Sequence, residues 1–400
     1  MPSVVDRAGS APSSHVVASA AALAREWAGG RALAILAGGS HPAGEAVWWD
    51  RGDRTLSLSD VDLWVVVPDE AAKRAALARA RAAREGLTAR LLEAGLAAPL
   101  DAGFHTPRDL AGLPARPAVI DLARSGRVIE GDATWLERVP RWTAADVPGE
   151  EIALLLENRG LELLHAWWGL RAEDPLERLC ARHATLKSAL DLAAVTTLAR
   201  GELPPGIAAR VAAARALLEH ESAGGATGVS LARLAPLWEA ALAWRRRPEP
   251  GDPGAVRAEW QRVVQAWTSV WLDLSGRADP AAESDPYRRA VRWARRARLR
   301  RRLRQAAFFA GRVAAPPLSS RLARALHGTP QHRLNASATV LLLSAAQGPA
   351  GSPAIGPSAA RALARLGVAG GARGWPDAAR AVVRAWDAWV LDGQRTATWV

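Results

Sequence analysis

Lysine is almost missing from this 400-residue chain, cysteine occurs once, and phenylalanine and tyrosine together number four. With Cys180 alone, no internal disulfide can form, which excludes a disulfide-stapled scaffold. No apolar run approaches the roughly 18 residues that a membrane span needs. The best, 338–346, is about half that long and reads as a buried helix or strand. The first residues lack the basic-then-apolar layout of a secretory signal, so a cytoplasmic chain without a transmembrane segment is expected. Also missing are G-x-x-x-x-G-K-[ST], G-x-S-x-G and any Cys/His cluster. P-loop ATPase, serine hydrolase and zinc-enzyme readings therefore lose their usual support.

What is present is skewed. Apart from Lys73 and Lys187 every basic residue is arginine, and 18 tryptophans stand against 3 phenylalanines. Lysine, phenylalanine and tyrosine have AT-rich codons, so a GC-rich genome accounts for the bias, and arginine or tryptophan richness alone carries no function. The net charge of +12 survives that correction, because exchanging lysine for arginine leaves charge unchanged. It favours anionic partners such as nucleotides, nucleic acid or acidic lipid. The tryptophans recur at helical core spacing, which suits packing better than a base-stacking platform.

The length predicts two or three domains, and the pattern predicts an α+β chain: an N-terminal mixed sheet with flanking helices, then an all-α region. Residues 14–29 have helical spacing, with Ser13 or Ser14 as the cap and Gly29-Gly30 as the stop. Residues 32–37 read as a buried strand ended by Gly38-Gly39-Ser40, and 61–67 as the clearest strand, ended by Pro68. Asp69-Glu70 opens one long helix to about 94. Residues 99–105 and 127–130 read as further strands, 118–124 as a helix, and 47–57 as a hairpin with its tip at 50–53. From Glu150 onward the pattern is helical, broken by Pro and Gly loops. The predicted units are 14–142, 148–246 and 255–400, with 248–254 as a linker.

At the mouth of the clearest strand stands Ser59-Asp60-Val61-Asp62. In an extended chain residues i and i+2 share a side, so Asp60 and Asp62 project together. Two adjacent carboxylates resist joint ionisation unless a cation lies between them. Mg²⁺, which takes oxygen ligands and substrate phosphates, suits such a pair; the alternative is two solvated aspartates at a strand end. Gly38, Gly39 and Ser40 follow the preceding strand, where glycines let backbone N–H groups approach a phosphate and the serine hydroxyl can donate.

Together, I-L-A-G-G-S and the later L-S-D-V-D-L-W-V-V-V resemble the nucleotidyltransferase superfamily that includes DNA polymerase β and small antibiotic-modifying enzymes. The resemblance implies an N-terminal nucleotidyltransferase-like domain in which Gly38, Gly39 and Ser40 bind an NTP. It implies that Asp60 and Asp62 are catalytic and hold two Mg²⁺ ions, with a third carboxylate from a later strand. Asp101 is the expected third ligand and Asp121 its rival, although 118–124 looks helical. The stretch 120–132 is similar to the closing edge strand of minimal members, and Glu157-Asn158-Arg159 with His183, Lys187 and Asp191 to the helical partner region. The activity implied is Mg²⁺-dependent transfer of a nucleoside monophosphate from an NTP to a hydroxyl acceptor. The stretch from Ser40 to Asp60 is longer than in minimal members, and His41 stands where a basic residue is frequent.

Lys187 shares a helix face with His183 and Asp191. It is read as a phosphate contact from the helical region or as one half of an i,i+4 ion pair. Residues 288–304 form the densest basic block, a grip for nucleic acid or an anionic membrane surface, or a solvated face. Two alternatives therefore accompany the enzyme reading. One is an inactive nucleotidyltransferase-like nucleotide-binding or scaffold protein, and the other a nucleic-acid-associated protein using the 288–304 helix.

Overall fold

The computed structural model describes residues 10–83, 85–223, 231–278, 284–296, 329–348, 353–367 and 374–393. It is a mixed α+β chain: a small sheet near the N-terminus, then helices throughout.

Helix α1 (Ser10–Ala28) starts a turn earlier than its spacing predicts, so Ser13 and Ser14 lie within it and not at its start. Gly29 and Gly30, both at positive φ, end it as expected. Strand β1 (Ala34–Gly38) is wholly buried. The hairpin strands β2 (Trp48–Asp50) and β3 (Thr55–Ser57) make a separate two-stranded sheet. Strand β4 (Val61–Val66) follows, then α2 (Glu70–Ala82) and α3 (Leu87–Glu93). The single long helix expected from 69 is thus two, parted where Gly86 takes φ +76°. Its start is as read, with the Asp69 carboxylate accepting from Ala72 N–H at 2.7 Å.

Strand β5 (Leu100–His105), short helix α4 (Pro107–Ala111), α5 (Pro117–Ser125), strand β6 (Arg127–Glu130) and α6 (Thr134–Glu137) complete the sheet region. The strand order is β5-β4-β1-β6, with β4–β5 parallel and both β1 pairings antiparallel. Side chains alternate across the sheet. Val61, Leu63, Val65 and Phe104 meet Val17, Ala24 and Trp27 of α1, with Ala72 and Ala76 of α2. On the other face Leu36, Trp64 and Val66 meet Leu122 of α5. Asp62 shares that second face at the end where the helical half begins.

The helical half comprises α7 (Gly149–Gly169), α8 (Pro175–Leu198), α9 (Ile207–Ala223), α10 (Leu231–Arg246), α11 (Pro253–Ala278), α12 (Pro286–Trp293), α13 (Pro330–Gln347), α14 (Pro357–Leu366) and α15 (Trp375–Gly393). Proline at the first turn is recurrent, as at Asp174-Pro175, Asp285-Pro286 and Thr329-Pro330, where the preceding side chain caps the helix. The apolar run 338–346 is the largely buried C-terminal half of α13. One apolar cluster extends across 248–254, joining residues on α7, α8, α10, α11 and α13.

Tryptophan sits inside it, as its spacing predicts. Trp238, Trp260, Trp267 and Trp375 donate their indole N–H to the carbonyls of Ala189, Leu163, Leu156 and Leu341 on neighbouring helices. Each indole removes roughly 200 Å² from water, and the hydrogen bond avoids leaving a donor unpaired in a dry core. The buried Glu157 carboxylate is likewise satisfied, by Arg296 at 2.8 Å to each oxygen and by Asn335 at 2.9 Å.

Of the basic block, α12 and the residues up to 296 are described, and 297–304 lie outside the described residues. Among the described residues no helix is long and apolar enough to cross a membrane.

Candidate active site

Gly38 is the Cα partner of Asp62 across β1–β4. Its missing side chain makes room for Trp64, whose ring would lie 2.6 Å from a Cβ there. Gly39 comes next and turns the chain at φ +73°. A Cβ on it would lie 2.4 Å from Asp62 Oδ2, so the left-handed dihedral favours glycine and a side chain there would displace the Asp62 carboxylate. The Ser40 hydroxyl is buried at this bend without a hydrogen-bond partner.

Asp60 and Asp62 leave the same side of the chain. Asp101 is the Cα partner of Asp62 across the parallel β4–β5 pair, which puts all three carboxylates on one sheet face. Asp121 faces the same cleft from α5, off the sheet, where it is held in an ion pair with Arg210 at 2.6 Å. Asp60, Asp62, Asp101, Gly39, Ser40 and Lys187 line one cleft of about 1520 Å³, and Gly38 does not line it. The opposite wall is helical, mainly from α7 and α8, with the start of α9, Arg245 of α10, Gln331 of α13 and part of α15.

Lys187 reaches across that cleft. Its Nζ lies 2.9 Å from each oxygen of Asp60, a partner 127 residues away. The i,i+4 ion pair with Asp191 is not formed; Asp191 instead pairs with Arg159 at 3.0 Å, and Arg159 also holds Glu162. One turn before Lys187, the His183 ring stacks on Trp244 with centroids 5.9 Å apart. Its Nε2 is buried without a partner.

The electrostatics follow from this crowding. Burial would raise Asp60, but the Lys187 ammonium, helped by Arg159, holds it well below the usual carboxylate range. Asp60 still keeps 35% of its side-chain surface open to the cleft. Burial first, and the charge of Asp60 second, push Asp62 up to about 7. One charge is thus neutralised by the lysine and the other is shed to a proton. Burial and then Lys187 push His183 down to about 3, leaving a neutral imidazole.

The long hairpin leaves these elements in place because it is fastened at several points. His41 is buried and bonds to Ser13 Oγ and Ser57 Oγ at 3.1 Å and to the Ser59 carbonyl at 3.2 Å. Burial lowers its pKa, so His41 is a neutral tie within the hairpin and does not stand in for a basic residue at the bend. Glu45 Oε1 accepts from Ile207 N–H at 2.7 Å, and Arg245 donates to the Glu45 carbonyl, which anchors the segment to the helical wall.

Among the described residues, no group of three or more His, Cys, Asp and Glu is gathered closely enough to form a ready metal cage. The donors nonetheless fit a hard divalent cation in kind. They are carboxylates without thiolate, Asp62 is poised against a bend that favours glycine, and a buried hydroxyl beside it lacks a partner.

Glu45 and Arg245 have no place in the site read from the sequence, and Arg159 and His183 enter it only within the helical region that the resemblance implies. Each acts across a gap of tens of residues or more, and no local pattern marks such a partnership. The helical period from His183 through Lys187 to Asp191 was the one available signal, and it identified the right helix face. Family models, curated proteins and solved structures were all compared with this chain, and none matches it.

Proposed function

We propose that the chain is a Mg²⁺-dependent nucleotidyltransferase that moves a nucleoside monophosphate from an NTP to a hydroxyl acceptor. One observation carries this reading. Three aspartates share a sheet face, two of them in register on adjacent strands, beside a glycine bend that ends the neighbouring strand. On this reading 14–142 is a nucleotidyltransferase-like unit, and the helices after 148 form the wall that selects the acceptor.

Asp60, Asp62 and Asp101 would hold the ions, which supply neutralisation of phosphate charge and acidification of the acceptor hydroxyl when bound. The chain's own groups bind and align. The Gly39 bend lets the backbone come close to a triphosphate, the Ser40 hydroxyl has a donor to give, and Lys187 brings positive charge from the opposite wall. The helical wall faces the carboxylates across the cleft and orients the acceptor.

The bidentate hold of Lys187 on Asp60, and the neutral His41 after the bend, favour a second reading, a nucleotide-binding or scaffold protein without catalysis. A thermal-shift panel of the four NTPs with and without Mg²⁺, run beside a pyrophosphate-release assay, separates the two. Mg²⁺-dependent stabilisation with pyrophosphate release, both lost in Asp60→Ala/Asp62→Ala, supports the enzyme. Stabilisation without release supports the binding protein, and neither effect sinks both.

A further inference from the structure

Lys187 stands where it obstructs the chemistry proposed for Asp60. An ammonium equidistant from both carboxylate oxygens, at 2.9 Å, lies on the side from which a cation would engage the two together. A divalent ion arriving there meets like charge a few ångströms away in a partly desolvated site, where repulsion is poorly screened. The other nearby cation cannot move to compensate, since Arg159 is fixed between Glu162 and Asp191. Lys187 is held by Asp60 alone among the ion pairs of its head group.

Residue type points the same way. This chain carries arginine at 50 of its 52 lysine-or-arginine positions, yet has lysine here. A guanidinium forks onto a carboxylate and stays, whereas an ammonium is a compact charge on a flexible four-carbon stem that can be drawn to a new partner. An anion at the Gly39-Ser40 bend would lie in the same cleft as Asp60 and offer that partner.

We propose that Lys187 is a resident counter-ion for Asp60 that yields to a divalent cation only when a triphosphate draws the ammonium away, so that metal and nucleotide bind as one coupled event. The inference rests on the nucleotidyltransferase reading. It makes Lys187 a positioning residue that sets the order of loading.

Isothermal titration with Mn²⁺, alone and with a non-hydrolysable NTP analogue, tests it on wild type, Lys187→Gln and Lys187→Arg. Wild type should bind Mn²⁺ weakly alone and about tenfold or more tightly with the analogue. Lys187→Gln should bind Mn²⁺ alone about tenfold more tightly than wild type and lose most of the analogue's effect. Lys187→Arg should restore weak binding of the bare metal, which a merely structural role would not require. Should Lys187→Gln fail to fold, Lys187→Arg decides alone: its fork should resist displacement and reduce the coupling, and wild-type coupling in it overturns the proposal. Equal Mn²⁺ affinity in wild type and Lys187→Gln, with nucleotide still bound, overturns the counter-ion role while leaving the enzyme reading intact. Failure of every protein to bind Mn²⁺ or nucleotide overturns the enzyme reading and this inference with it.

Discussion

Asp62 and Asp101 are register partners on parallel strands, and this pairing separates Asp101 from its rival Asp121. Strand neighbours in register present their side chains on one face a few ångströms apart, whereas Asp121 belongs to α5 and is taken by Arg210. The two aspartates should therefore fail differently when neutralised. Asp101→Asn is expected to reduce Mg²⁺-dependent pyrophosphate release by about 10²- to 10³-fold with little change in unfolding midpoint. Asp121→Asn should do the reverse, costing about 1 kcal/mol of stability through its part-exposed ion pair while turnover persists. Steady-state kinetics and urea unfolding on the pair of variants check this, and turnover lost in Asp121→Asn alone would transfer the third-ligand role to it.

Gly39→Ala should disturb the Asp62 carboxylate directly. The added Cβ meets Asp62 Oδ2 at 2.4 Å and also forces a left-handed conformation on alanine. Gly44 shares φ +73° but has nothing within 4 Å, so it isolates the conformational part. Gly44→Ala is expected to cost about 1 kcal/mol, and Gly39→Ala to cost more and to abolish nucleotide-dependent stabilisation. Denaturant titrations with and without Mg²⁺ and NTP measure both quantities. Equal behaviour of the two variants would mean that Asp62 has room to move, and the bend would lose its claim on the site.

Much of this site could be read before any fold was known, because period and punctuation are local. Alternation put Asp60 and Asp62 on one side, β-branched residues marked β4, and glycines marked where β1 ends. The hairpin was equally plain, since its strands and its polar tip lie within a dozen residues. What escaped is what packing decides. Lys187 had an acidic neighbour one turn along its own helix, and nothing in the chain says that Asp60 wins while Arg159 takes Asp191. Gly86 was hidden for another reason: a helical pattern tolerates one glycine, and only the observed φ shows a break. His41 reads only as a weak substitute for the basic residue that is absent after the bend, and sequence carries no burial to say what else it does. Three polar partners on the hairpin and α1 make it a tie.

Acid should loosen the fold through buried histidines. Burial, with Lys73 adding to it against Asp109, pushes His105 down to about 4, and His183 lies near 3. In the unfolded chain both return to about 6.5. Between that value and the folded one the unfolded state binds a proton that the native state refuses, so stability rises with pH. The contribution is complete above about 6.5 and is lost as pH falls towards 4, at about 1.4 kcal/mol per pH unit for each histidine. Asp62, pushed up to about 7, works in the opposite sense over the same window, because the native state holds its proton more tightly. The clean observable is therefore a difference between variants: His105→Gln should flatten the dependence between pH 6 and 4.5 relative to wild type. Urea unfolding at a series of pH values in EDTA reads the slope, and parallel curves would show that His105 is protonated in the native state.

Two helix glycines should respond to alanine with opposite signs. Replacing an interior helix glycine ordinarily gains about 0.5–1 kcal/mol, because alanine loses less backbone freedom on folding. Gly276, near the end of α11, has only Arg289 Nη1 near its Cβ position, at 3.7 Å, so Gly276→Ala should deliver that gain. Gly160 on α7 faces the buried indole of Trp267, whose Cζ2 would lie 2.8 Å from the new methyl, and Leu342 Cδ1 at 3.1 Å. That indole is anchored by its N–H to the Leu156 carbonyl, so it cannot retreat without breaking a buried hydrogen bond. Overpacking of this kind costs about 1–3 kcal/mol, which exceeds the propensity gain. Gly160→Ala is therefore expected to lower the unfolding midpoint and Gly276→Ala to raise it. A Gly160→Ala protein as stable as wild type would mean that the α7–α11 contact is looser than the glycine's position requires.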